Sequence, residues 1–122
     1  NILRSIQEGG VGNKRLLEIG VREGTLSIDG LHDKIEFEIE SNYEYSELGR
    51  VINYNDLEVL TQKTGKTNKV TLTRDYTGVY EITYQGVNEK KVFSPSSIPY
   101  KLFIANNGTA SGTLTQMNFE VG

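Results

Sequence analysis

An all-β sandwich is the fold that this sequence predicts, and three observations support that prediction. Apolar and polar residues alternate along short segments from residue 14 onward, as expected for strands with one buried face. Turn signals rich in Gly, Asn and Asp separate these segments at close spacing. The alternation also argues against parallel strands covered on both faces, which give continuous apolar runs. We therefore expect an antiparallel β-sandwich of immunoglobulin-like general shape, preceded by a short helix.

The first element is the short helix. Ile2, Leu3 and Ile6 fall on one face at helical spacing, and Gly9-Gly10 ends the pattern. A helix of this length is marginal by itself in water. One interpretation is that residues 1–12 are the remnant of a longer N-terminal helix or a flexible joint, and that residues 13–122 form one sandwich domain. The segment could instead dock on the sandwich as a cap, or complete a neighbouring subunit's sheet as an extended donor arm, although its spacing suits a helix better.

The strands follow in chain order, and the clearest lies in DKIEFEIES (33–41). There Ile35, Phe37 and Ile39 alternate with charged residues. Similar alternation occurs in residues 17–21, 26–28, 70–72, 80–84, 102–104 and 117–121, and VINY, DLEVL and KKVFS are shorter candidates. About eight or nine strands are expected. Nine residues are predicted to lie in the core: Ile35, Phe37, Ile39, Val70, Leu72, Ile82, Leu102, Ile104 and Phe119.

One stretch interrupts this pattern. The segment SNYEYSELGR (41–50) lacks the alternation of its neighbours. It is predicted to be the long connection between the two sheets.

The amino-acid composition restricts the classes of function that the chain can have. The chain has 122 residues, enough for one domain, and its net charge of -3 argues against a nucleic-acid partner. It contains no cysteine and one histidine, which excludes disulfides, thiol catalysis and the usual zinc clusters. No motif pairs a nucleophile with a base or forms a phosphate-binding loop, since GKT at residues 65–67 leads into a strand and reads as a hairpin loop. We expect a protein that is not an enzyme and needs no cofactor or metal.

Several polar and aromatic residues remain as weaker candidates. Glu36, Glu38 and Glu40 form a row that could help hold a hard cation such as calcium, but a solvated outer face is the favoured interpretation. His32 is expected in a turn between two strands. Tyr43, Tyr45 and Tyr54 cluster in and near the irregular segment, where they could form a contact surface or a ligand platform, whereas Tyr80 and Tyr84 are predicted to be core residues. Asn107 begins the only N-glycosylation sequon, in a turn between two strands.

The order of these segments resembles a known family. A helical tail ending in EGG is followed by GNKRLLEIGVREGTLSIDG, by DKIEFEIES, by the hairpin KVTLTRDYTGVYEITYQG and by PYKLFIANNG before a last strand. This arrangement resembles the extracellular domains of archaeal type IV pilin-like surface proteins, which are made with a class III signal peptide. In that family a long apolar N-terminal helix anchors the subunit in a membrane or a filament core, and a β-sandwich head follows.

The resemblance implies an extracellular location at the cell surface. The chain would be a non-enzymatic structural or adhesion head, and Ile2, Leu3 and Ile6 would mark its attachment to a stem that lies upstream. Its partners would be other copies of itself or other proteins of a surface layer or filament. Two alternatives stay open, namely a β-sandwich module that binds a carbohydrate or peptide, and a filament subunit assembled by donor-strand exchange.

Overall fold

The computed structural model describes residues 2–42, 48–54, 57–109 and 112–122, with Tyr54 described by its backbone only. These residues form one helix and ten strands, one or two strands more than expected, because the short segments VINY and KKVF form strands of their own. In chain order the elements are α1 (Ile2–Glu8), β1 (Lys14–Ile19), β2 (Thr25–Asp29), β3 (Lys34–Ser41), β4 (Val51–Tyr54), β5 (Leu57–Thr64), β6 (Thr67–Asp75), β7 (Tyr80–Tyr84), β8 (Lys90–Phe93), β9 (Tyr100–Asn106) and β10 (Thr115–Val121).

The strands form two packed sheets, which confirms the all-β sandwich. The four-stranded sheet has the order β1-β9-β10-β7, and the six-stranded sheet has the order β4-β5-β6-β3-β2-β8. Neighbouring strands are antiparallel except β10 and β7, which pair in parallel. The prediction that residues 41–50 connect the two sheets is wrong, since β3 and β4 belong to the same sheet. The chain leaves the middle of the six-stranded sheet after β3 and rejoins it at an edge as β4.

The predicted core is partly confirmed. Five of the nine residues are buried, with exposed fractions of 3% or less, namely Val70, Ile82, Leu102, Ile104 and Phe119. The other four are only half-buried, namely Ile35, Phe37, Ile39 and Leu72. All four lie on the six-stranded sheet, in strands β3 and β6. Tyr80 and Tyr84 are buried, as predicted.

Helix α1 packs into this core. Leu3 and Ile6 are 2% and 0% exposed and belong to the main hydrophobic cluster, whereas Ile2 is 36% exposed. The turn that follows is also fixed, because the Gly12 N–H donates to the Asn106 carbonyl at 2.8 Å. The helix is therefore held as a cap on the sandwich, and Gly9-Gly10 does not separate it from the head as a joint would.

Candidate functional site

A cleft of about 540 Å³ opens beside α1 and is the candidate site. Its volume lies within the usual range for small-molecule sites, roughly 300–1,000 Å³. Eight of the described residues line it, from the helix, three strands of the six-stranded sheet, the segment leading into β7 and the start of β7: Arg4, Asn53, Glu58, Arg74, Asp75, Tyr76, Val79 and Tyr80.

The strand ends bring these side chains together. Arg74 and Asp75 are the last two residues of β6, and Tyr76 follows them directly. Asn53 and Glu58 are directly opposite each other in the register of β4 and β5. Arg4 joins them from α1, whose position depends on the burial of Leu3 and Ile6.

Two tyrosines form the aromatic wall of the cleft. The ring centroids of Tyr76 and Tyr80 are 5.7 Å apart, and the rings are tilted by 52°, within the range for favourable aromatic pairs. The Tyr80 hydroxyl donates to Oε1 of Gln7 at 3.1 Å, which ties β7 to α1. Tyr80 is buried, but Tyr76 is only half-buried and presents part of its ring to the cleft. Burial raises the pKa of the Tyr76 hydroxyl, although the nearby Arg74 charge opposes that rise.

Asp75 is a fixed acceptor at the edge of the cleft. Its Oδ1 accepts hydrogen bonds from the hydroxyl and the backbone N–H of Thr77, at 2.6 Å and 2.9 Å. These two bonds lower the pKa of Asp75, outweighing a smaller opposing effect of burial. The carboxylate is therefore ionised at neutral pH and is held in one orientation.

The glutamate row is engaged in ion pairs with lysines. Nζ of Lys34 lies 3.0 Å from Oε1 of Glu36, and Nζ of Lys69 lies 3.2 Å from Oε1 of Glu38. Glu40 is exposed. In the described part of the chain, no three His, Cys, Asp or Glu side chains are placed so that they could hold a metal ion. The Lys34–Glu36 pair lies within β3, whereas the Lys69–Glu38 pair joins β6 to β3 across the six-stranded sheet.

His32 lies in the β2–β3 turn, as expected, with a partner that the sequence did not reveal. Its side chain is 70% exposed, and its Nδ1 lies 3.0 Å from Oδ2 of Asp29. The Asp29 residue is only 1% exposed, and its Oδ1 accepts from the backbone N–H groups of Leu31 and His32. Burial by itself would raise the pKa of Asp29, but the bonds from His32 and Leu31 together outweigh it, so the pKa lies below 3.8.

Replacing Asp29 by asparagine is expected to destabilise the protein at neutral pH and to have little effect in strong acid. Because the folded-state pKa is lowered, the ionised carboxylate stabilises the fold above pH 3.8 and loses that effect as the pH falls through the folded-state pKa. A hydrogen bond to a charged group typically contributes about 1.5–3 kcal/mol, so we expect Asp29→Asn to lower the free energy of unfolding by about that amount at pH 7. Urea unfolding of both proteins between pH 7 and about pH 2 measures the difference. A difference that did not shrink in acid would contradict this role, and Glu40→Gln is the control.

The other predicted site residues are only partly described. Tyr43, Tyr45 and the side chain of Tyr54 lie outside the described residues, so their contact surface stays a prediction. Asn107 is exposed in the turn after β9, and its Nδ2 donates to Oε1 of Gln116 at 3.0 Å. Its glycosylation also stays a prediction.

Sequence reasoning missed the cleft. Its residues come from five separate segments, and only Tyr80 had been singled out, as a core residue. One signal was present, because Arg74 follows Val70 and Leu72 at alternate positions of β6. An arginine on the apolar face of a strand indicates a place where that face reaches solvent or a polar partner.

Comparisons with known proteins add no identification. Among the described residues, no helix has both the length and the apolar character needed to cross a membrane. No protein-family model, curated protein or solved structure matches this chain.

Proposed function

We propose that this chain is the extracellular β-sandwich head of a pilin-like or membrane-anchored surface protein of the archaeal type. In this role the head is not an enzyme. It serves adhesion, filament packing or contact with a surface layer, and an apolar helix upstream of Asn1 tethers it.

The docked helix is the observation that carries this proposal. With Leu3 and Ile6 inside the core, α1 is fixed to the head although it is too short to be stable alone. An apolar helix continuous with α1 would therefore be attached rigidly to the sandwich. Ile2, at the start of α1, is 36% exposed and marks where such a helix would leave the head.

An apolar pair on the outer face of the four-stranded sheet supports a contact role. Leu16 of β1 is 50% exposed and lies directly opposite Phe103 of β9. Nζ of Lys14 lies 4.6 Å from the centre of the Phe103 ring and also pairs with Glu120 at 3.0 Å. An apolar centre with a charged rim is the usual composition of a protein interface, and another copy of the chain is the partner we propose for it.

The gene sequence upstream of Asn1 tests the proposal. A basic residue, a processing site and about 20 consecutive apolar residues are expected there. A start codon directly upstream of Asn1, or a polar linker there, would contradict the tethered role.

A ligand-binding module is the second candidate function, and the cleft beside α1 favours it. The sequence had suggested tyrosines of the irregular segment for that role, whereas the cleft uses Tyr76 and Tyr80. Donor-strand exchange through the N-terminal segment has less support, because Ile2–Glu8 is helical and buries Leu3 and Ile6 in its own head.

A further inference from the structure

We infer that the cleft between α1 and the ends of β4, β5 and β6 binds a neutral saccharide. This inference is independent of the proposed surface role, because it concerns a site within the head alone. Three properties of the cleft support it, namely its balance of charges, its mostly polar lining and the hydrogen bonds that hold two of its side chains.

The charges of the cleft favour a neutral ligand. Among the described residues of the lining, Arg4 and Arg74 contribute two positive charges, and Glu58 and Asp75 contribute two negative charges. An anionic ligand would meet both carboxylates, and a cationic ligand would meet both guanidinium groups. Guanidinium groups only donate hydrogen bonds and carboxylates only accept them, whereas a hydroxyl group does both. A ligand with many hydroxyl groups can therefore use both kinds of side chain.

The balance of polar and apolar lining favours a sugar over an apolar small molecule. Five of the eight described lining residues are charged or carry an amide, whereas sites for drug-like molecules are mostly apolar. The apolar contribution comes mainly from the Tyr76 ring and from Val79, which is 55% exposed. The electron-rich face of an aromatic ring can pack against the C–H groups of a sugar ring.

Two side chains of the cleft, those of Asp75 and Tyr80, are held by hydrogen bonds before a ligand arrives. Thr77 holds Asp75, and Gln7 holds the Tyr80 hydroxyl. Arg4 belongs to a helix anchored in the core. Binding therefore does not have to order these two side chains, which lowers its entropic cost.

NMR titration of the isotope-labelled protein with lactose, cellobiose, maltotriose and diacetylchitobiose tests the inference. At least one of these sugars is expected to cause saturable shifts at Tyr76 and Val79. Arg74→Met and Asp75→Asn each remove a charged hydrogen-bonding group and should weaken binding by about tenfold or more. The matched controls Arg22→Met and Glu40→Gln change exposed residues that do not line the cleft, and they should bind like the parent.

Three results would overturn the inference. One is the absence of saturable shifts with all four sugars, and another is sugar binding that neither cleft variant weakens. The third is tighter binding of glucuronic acid or of an acidic peptide, which would show that the cleft prefers anions. Urea unfolding first establishes that each variant is folded. If Arg74→Met does not fold, the sugar binding of Asp75→Asn alone decides the test. A negative result for sugar binding does not contradict the proposed surface role, since the upstream gene sequence tests that role separately.

Discussion

Replacing Ile6 by alanine is expected to lower the free energy of unfolding by about 2–5 kcal/mol. Ile6 is 0% exposed and packs in the main hydrophobic cluster, so truncation removes buried apolar surface and leaves a cavity. The cleft should be affected as well, because Arg4 is positioned by the same helix. Urea unfolding measures the stability, and the NMR shifts of the cleft residues report on its geometry.

Ile2→Ala is the matched control for this variant. It makes the same chemical change two residues from Arg4, but Ile2 is 36% exposed, so a smaller loss of stability is expected. Equal losses in the two variants would mean that α1 is not anchored through Ile6. That result would also remove the observation on which the proposed tethered role rests.

Replacing Gly24 by alanine is expected to be about as damaging as the change at Ile6. Gly24 has φ +74°, a left-handed conformation that costs a residue with a Cβ atom roughly 1–2 kcal/mol. An added Cβ would also lie 2.3 Å from the carbonyl oxygen of Glu38, which belongs to the backbone of β3 and cannot simply rotate away. Overpacking of this kind adds about 1–3 kcal/mol.

Gly65→Ala separates the conformational cost of the left-handed backbone from the cost of the steric clash. Gly65 has φ +63° in the β5–β6 turn, but no atom lies within 4 Å of a Cβ added there. It should therefore show the conformational cost without the clash. Urea unfolding measures the free energy of unfolding of both variants. If Gly24→Ala is as stable as Gly65→Ala, the close approach of Gly24 to β3 is contradicted.

Local patterns were enough to predict the architecture. Alternation along residues 33–41 placed Ile35, Phe37 and Ile39 on one face, and the structure pairs Phe37 with Leu72 and Ile39 with Val70 across β3 and β6. Such pairs follow from the two-residue period of a strand, which can be read without knowing its neighbours.

Strand order and depth of burial depend on contacts between distant segments, and the sequence does not reveal these. The alternation showed that Ile35 faces inward, but not that it is only half-buried. The sequence marks Asp29-Gly30 as a turn, but it does not show that the β2–β3 turn folds back over the Asp29 carboxylate. The cleft was hidden for the same reason, since Arg4 and Arg74 are neighbours only after α1 has docked.

The topology of the two sheets predicts an order of folding. In the six-stranded sheet, β2 pairs with β3 and the run β4, β5 and β6 pairs in sequence, so these hairpins close short loops. The four-stranded sheet contains the β9–β10 pair of consecutive strands, but it also joins β1 to β9 and β7 to β10, each across long stretches of chain. Closing long loops costs more entropy before any contact is gained, and non-local pairing slows folding. The hairpins of the six-stranded sheet should therefore form early and serve as the template on which the parallel pair of β7 and β10 assembles in the rate-limiting step.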